Sequence, residues 1–135
     1  MGQNLDSLAA IPVLLPRALY IWNAASGAWD KLRTPVVRKD INVVAIVSAS
    51  VLWTPASGKT IRLMGGIISV DQQVNVLFQD GGGNYVARLP FLPANAPFGF
   101  DFGNGIVMPA GVNATLKVIG SGAANLTGTV WGCEE

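Results

Sequence analysis

The sequence has no histidine, a single cysteine and only 13% charged residues. The missing histidine excludes Ser–His and Cys–His nucleophile pairs and every metal site built on imidazole. Cys133 alone cannot form an internal disulfide or a thiolate metal cluster. The net charge of +1 gives no electrostatic basis for binding nucleic acid. We therefore expect no metal, no cofactor and no nucleic-acid partner.

Long hydrophobic runs are also missing. The longest apolar window, residues 41–53, is shorter than the roughly 20 residues that a membrane-spanning helix needs. The apolar stretch at residues 8–15 has no basic region before it and is interrupted by Pro12, which argues against a secretory signal. We expect no membrane partner.

Half of the residues are hydrophobic, and 16 glycines and 8 prolines punctuate them. From residue 41 onward, short apolar or alternating segments recur about every 8 to 12 residues between turn signals, which is typical of antiparallel sandwiches and barrels. About eight strands fit between residues 41 and 132, with no room for a long helix. We predict an all-β fold, an antiparallel jelly-roll or tulip-like β-sandwich, over residues 41–135. An immunoglobulin-like sandwich is the alternative.

The first forty residues form a predicted domain of their own. Pro12 and Pro16 argue against a continuous helix or a central strand in residues 1–17, so we expect an extended apolar arm. Two alternating segments around Gly27 then predict a hairpin with Trp22 and Trp29 on it. An apolar arm and exposed aromatics favour contacts with other chains. The expected interface residues are Ile11, Val13, Leu14, Leu15, Tyr20, Trp22, Trp29, Arg33, Arg38 and Lys39.

Within the sandwich, the sequence also predicts the bounds of individual strands. Residues 41–50 are apolar and predict one strand, followed by a second at residues 51–54. Asn104-Gly105 is a strong turn signal and predicts a hairpin between strands at residues 98–102 and 106–108.

The carboxylates do not form a recognisable catalytic pair. Asp71, Asp80 and Asp101 could in principle serve glycoside hydrolysis, but nothing in their spacing brings two of them together. Asp80-Gly-Gly-Gly-Asn84 lacks the alternating oxygen ligands of a calcium loop and predicts a hairpin tip instead. We predict no catalytic residue and no enzymatic activity.

Three segments resemble small virion proteins of tailed bacteriophages: LYIWNAASGAWDKL at residues 19–32, WTPASGKTIRLMGGIIS at residues 53–69, and NATLKVIGSGAANLTGTVWGCEE at residues 113–135. The chain is similar in this respect to capsid decoration (cementing) proteins. The resemblance implies a homotrimer of β-sandwich or β-tulip domains, made in the host cytoplasm and located on the capsid surface. The implied partner is the major capsid protein of the shell, clasped in part by the N-terminal arm.

Two other functions remain open from the sequence. A carbohydrate- or receptor-binding virion module, such as a fibre tip or lectin-like domain, would use exposed aromatics, with Trp131 or Tyr85 beside the 80–84 loop as candidates. A minor coat protein that forms a shell itself is the other alternative.

Overall fold

The computed structural model describes residues 20–23 and 27–135. Its backbone contacts separate the chain into two units, Met1–Arg33 and Thr34–Glu135. The predicted arm at residues 1–17, with its four aliphatic interface residues, lies outside the described part.

The first unit contains the predicted hairpin. Strand β1 (Tyr20–Asn23) pairs antiparallel with β2 (Ala28–Lys31), and Trp22 lies directly opposite Trp29. Gly27, just before β2, has a φ of 66°, a left-handed backbone conformation that glycine adopts without steric cost.

The second unit consists of eight strands in two sheets, and no helix occurs among the described residues. The strands are β3 (Val37–Val43), β4 (Ser50–Trp53), β5 (Ile61–Val70), β6 (Val74–Asp80), β7 (Tyr85–Leu92), β8 (Phe98–Val107), β9 (Leu116–Gly120) and β10 (Leu126–Glu134). The first sheet has the order β3-β10-β5-β8 and the second the order β4-β9-β6-β7. All neighbouring strands run antiparallel. The all-β prediction with antiparallel, sandwich-like sheets is confirmed.

A single hydrophobic core holds residues from both sheets. Val74, Val76 and Phe78 alternate inward along β6, as the period-2 pattern predicts. Phe78 of the second sheet meets Phe100 of the first, with ring centroids 5.6 Å apart. Trp53 at the end of β4 is also fully buried in this core.

The predicted strand at residues 41–50 is wrong in its second half. The chain pairs with β10 only as far as Val43, and residues 44–49 form a loop. Ile46 alone anchors that loop in the core, with its backbone bonded to Ala124 and Gly120. Val44 is left 75% exposed. An apolar run therefore marked two different environments, which hydrophobicity alone does not separate.

The predicted hairpin at Asn104-Gly105 is also wrong. Strand β8 passes through this dipeptide and stays beside β5 on both sides of it. Between the pairs Gly65–Asp101 and Leu63–Ile106 the register shifts, and the extra residues bulge out with Gly103 and Gly105 at positive φ. Gly103 and Gly105 provide left-handed backbone here for a bulge and not for a chain reversal.

The predicted domain boundary between residues 40 and 41 falls inside β3. This strand begins at Val37 and pairs along its whole length with β10. Arg38 and Lys39, predicted as part of the N-terminal interface, therefore belong to the edge strand of the first sheet.

Candidate functional site

The hairpin carries a pair of exposed tryptophans. Trp22 and Trp29 pack edge to face, with ring centroids 5.4 Å apart, while 55% and 67% of their surfaces remain in solvent. Cross-strand aromatic pairs stabilise a hairpin and present a large apolar contact area. These two predicted interface residues thus form one apolar surface.

The remaining described interface residues have different surroundings. Arg33 donates from Nη1 to the Lys31 carbonyl oxygen at 2.6 Å, next to the hairpin. Arg38 is exposed on the outer face of β3, whereas Lys39 on the same strand is half-buried. Tyr20 opens β1, opposite Lys31. The six described interface residues therefore belong to two units, with Arg38 and Lys39 in the second.

A groove crosses the outer face of the first sheet, and we call it the Trp131 groove. Its volume is about 390 Å³, and its described lining residues are Pro35, Arg38, Ile67, Thr129 and Trp131. Strand register builds it: Trp131 of β10 lies between Arg38 of β3 and Gly65 of β5. One step along, Thr129 lies between Asp40 and Ile67.

Gly65 makes room for the indole of Trp131. A Cβ atom at this position would lie 2.9 Å from the indole Nε1 and 2.7 Å from the Phe100 carbonyl oxygen. Ile67, which follows two residues later on the same face, is 51% exposed. The groove thus combines an aromatic ring, a solvent-facing aliphatic side chain and the Arg38 guanidinium, and Asp40 lies beside it, bonded to the lining residue Thr129.

The outer face of the second sheet is different in character. Two shallow grooves of about 280 and 260 Å³ adjoin at Asn75 and Ser121. Tyr85, the first residue of β7 after the 80–84 loop, is exposed, and the Arg88 guanidinium lies 5.8 Å from its ring centre. Because Trp131 lies on the other sheet, the two predicted sugar-binding aromatics do not share a site.

Asp80, one of the three candidate carboxylates, is a structural anchor. It is completely buried and accepts hydrogen bonds from the backbone N–H groups of Gly82, Asn84 and Ala110, and from the Asn84 side chain, at 2.7–3.1 Å. Burial raises the pKa of Asp80, but these hydrogen bonds outweigh it and hold the pKa below its usual value. The fully bonded carboxylate fixes the 80–84 turn against the 109–115 loop.

The other two candidate carboxylates bond elsewhere. Asp71 accepts from the backbone and side-chain N–H groups of Asn125, while Asp101 points outward and accepts from the backbone of Gly103. Asp101 lies opposite Gly65 in the first sheet, and Asp80 ends β6 in the second. No carboxylate pair suited to acid–base chemistry is formed by these three residues.

Charged groups at the end of the chain brace the loop after β4. Glu134 accepts from the Trp53 indole N–H at 2.8 Å and from the Ala56 backbone at 3.0 Å. These hydrogen bonds, with Lys39 and Lys59 nearby, outweigh burial and hold the pKa of Glu134 below its usual value. Arg62 forms an ion pair with Glu135 at 2.8 Å. Cys133, between these contacts, is buried in β10.

No cluster of three or more His, Cys, Asp or Glu side chains suited to a metal ion occurs among the described residues. Their buried side-chain polar atoms all have hydrogen-bond partners. The described part of the chain also has no helix long and apolar enough to cross a membrane.

Comparison with known proteins found no matching family model, no matching curated protein and no matching solved structure.

The sequence marked Trp131 as a candidate for sugar binding and Arg38 as an interface residue, but not Ile67 or Thr129 beside them. Ile67 occurs in a run that reads as core, and its exposure depends on Gly99 lying opposite it in β8. Arg38 and Asp40 fall in the predicted N-terminal domain, residues 1–40, and not in the predicted sandwich. Only strand pairing brings these residues together, so no local signal in the sequence marks the groove.

Proposed function

We propose that this chain is a structural virion protein, a homotrimer that binds the outer surface of a bacteriophage capsid through the major capsid protein and stabilises the shell. The observation that carries the proposal is the exposed Trp22–Trp29 pair, held on a unit separate from the sandwich. A solvated pair of large aromatic rings is costly to leave uncovered and is the kind of surface that anchors protein interfaces.

We also propose that the sandwich is a jelly roll, and its strand order supports this. Counted from β3, the first sheet has the order 1-8-3-6 and the second the order 2-7-4-5. Two four-stranded antiparallel sheets connected in this way are the arrangement expected of a jelly roll, a fold common in viral capsid proteins.

Apolar side chains exposed on the second unit also favour an assembled state. Several large ones are more than half exposed there: Val36, Val44, Val47, Val51, Ile67, Tyr85, Phe91 and Val112. Single exposed hydrophobic residues are ordinary, but Val44 and Val47 are both more than half exposed on one loop. Contact with other copies or with a shell would remove this area from water.

A protein of this kind would act by mass action. Binding to the assembled shell, and not to its dissociated subunits, stabilises the shell in proportion to occupancy. Three linked copies would bind neighbouring shell sites with high avidity even if each contact were weak. No chemical step is required, which fits the structural use of Asp80, Glu134 and Arg62.

Light scattering on the purified full chain, at micromolar and nanomolar concentration, tests the assembly. We expect a mass near three times the 14.1-kDa chain mass that persists on dilution. A monomer at both concentrations would contradict the trimer. Closed particles formed without a partner would favour the minor coat protein instead.

Immunogold electron microscopy tests the location. An antibody against the chain should label the outer surface of intact phage particles evenly. Label confined to tail tips would contradict the decoration function and favour a receptor-binding module.

A further inference from the structure

We propose that the Trp131 groove binds an N-acetylated amino sugar. This would be a carbohydrate-binding function beyond shell decoration, and it does not depend on the proposed trimer. It rests on four features of the groove and its edge: an aromatic surface, an exposed aliphatic neighbour, a cation in the lining with a carboxylate beside it, and a suitable size.

The aromatic surface is the half-buried indole of Trp131. It is accommodated against the sheet because Gly65 has no side chain, and a Cβ atom there would collide with the indole edge. Register with β3 and β5 fixes the position of Trp131 from both sides. An indole held in this way can pack against the apolar C–H face of a pyranose ring, and its placement before binding reduces the entropy cost.

Ile67 favours a sugar with an acetamido group over one that has only hydroxyl groups. Its side chain lies beside the groove and is half exposed. In β8, the residue opposite Ile67 is Gly99, which has no side chain to cover it. Pro35 adds a second apolar side chain to the lining. The methyl of an acetamido group is a small apolar group that would gain by leaving water here, whereas a hydroxyl would not.

Arg38 and Asp40 supply matching polar groups. Both stand on the outer face of β3, two residues apart; Arg38 lines the groove, and Asp40 lies beside it, next to the lining residue Thr129. The Arg38 guanidinium has no hydrogen bond or ion pair within the described residues and can donate to the acetamido carbonyl. Asp40 accepts from the Thr129 hydroxyl at 3.2 Å through Oδ1, which leaves its second oxygen for an amide N–H or a sugar hydroxyl.

Charge and size also point to a neutral sugar. Arg38 is the one charged residue of the described lining, and Asp40, which accepts from the lining residue Thr129, offsets its charge from beside the groove, so neither an anionic nor a cationic ligand is favoured. The volume of about 390 Å³ lies within the range of small-molecule sites, roughly 300–1,000 Å³.

The probe is N,N′,N″-triacetylchitotriose, titrated into the full chain and followed by the indole N–H signals in NMR spectra. Cellotriose is the matched control, since it has hydroxyls in place of the acetamido groups. We expect the Trp131 signal to shift and saturate with triacetylchitotriose, and cellotriose to bind about tenfold more weakly. A Trp131→Phe variant assigns the signal.

Two exposed positions test the contacts without disturbing the core. Ile67→Ala and Arg38→Gln should each weaken triacetylchitotriose binding about tenfold and change cellotriose binding little. Arg88→Gln, on the outer face of the second sheet, is the matched control and should leave both affinities unchanged.

Several results would overturn the proposal. These are an unmoved Trp131 signal at the highest soluble concentration, equal affinity for the two sugars, or unaltered binding by Arg38→Gln. A Trp131 signal that shifts with protein concentration and not with sugar would identify this face as a contact between copies. The sugar titration tests the groove and the light-scattering mass tests the trimer, so one proposal can be contradicted while the other is supported.

Discussion

At the residue scale, carboxylates that accept several hydrogen bonds hold the loops in place. Glu134 accepts from the Trp53 indole and the Ala56 backbone, which connects the last strand to the loop after β4. Hydrogen bonds to a charged acceptor contribute more than neutral ones, and losing the acceptor leaves the donors without a partner. Glu134 is therefore a stabilising contact whose strength depends on its ionisation.

Glu134→Gln should lower the free energy of unfolding by about 1–2 kcal/mol at pH 7, since an amide oxygen replaces a charged acceptor. The folded-state pKa of Glu134 is lowered, so its contribution is present above the unfolded pKa and is lost as the pH falls through the folded pKa. The variant should thus lose less stability on acidification than the wild type. Urea unfolding between pH 7 and pH 3 measures both effects.

Asp101→Asn is the control, since Asp101 is exposed and the amide oxygen can still accept from Gly103. It should change stability by no more than about 0.5 kcal/mol. Equal pH profiles for wild type and Glu134→Gln would contradict the role given to the Glu134 carboxylate.

At the scale of the strand, β10 depends on glycines where it passes β5. The register between the two strands shifts between Trp131 and Gly132. A Cβ atom at Gly132 would overlap the Arg62 carbonyl oxygen, a backbone atom that cannot turn aside. The close approach of the two backbones at this bulge therefore requires glycine.

Gly132→Ala should destabilise the sandwich by about 3 kcal/mol or more, because either β5 or β10 must shift to relieve the overlap. Thermal unfolding followed by circular dichroism measures the change. Gly99→Ala is the matched control in the same sheet, since its nearest neighbour would be Ile67 Cγ1 at 3.9 Å. Comparable losses in the two variants would contradict a specific backbone contact at Gly132.

At the scale of the whole molecule, the chain divides into a short N-terminal unit and a unit that contains both sheets and the core. The second unit begins at Thr34 and includes all eight sandwich strands. A single core shared by two sheets is what a domain needs to fold alone.

Deletion of residues 1–17 should leave the sandwich folded while it removes the trimer or its attachment to the shell. Far-ultraviolet circular dichroism and one cooperative thermal transition would report the intact fold, and light scattering would report the mass. A truncated protein that keeps both its trimer mass and its shell attachment would show that the arm is dispensable.

The sequence predicted what depends on local chemistry. Alternation along residues 74–78 determined which face of β6 is buried, because side chains on a strand point to opposite sides in turn. Gly27 between two aromatic segments predicted the hairpin. Strand spacing and the lack of a long helical pattern predicted the all-β class. The absence of histidine excluded whole classes of reaction before any contact was known.

The tertiary structure decided what depends on pairing between distant segments. Asn104-Gly105 predicts a hairpin, but β8 stays paired with β5 on both sides of this dipeptide, and the glycine lies in a bulge. Residues 44–49, part of the same mainly apolar segment, leave the sheet after Val43, whose partner Leu126 is the first residue of β10. The Trp131 groove joins β3, β5 and β10, which lie up to about ninety positions apart in the chain. Its residues carry no common local signal, since strand register alone made them neighbours.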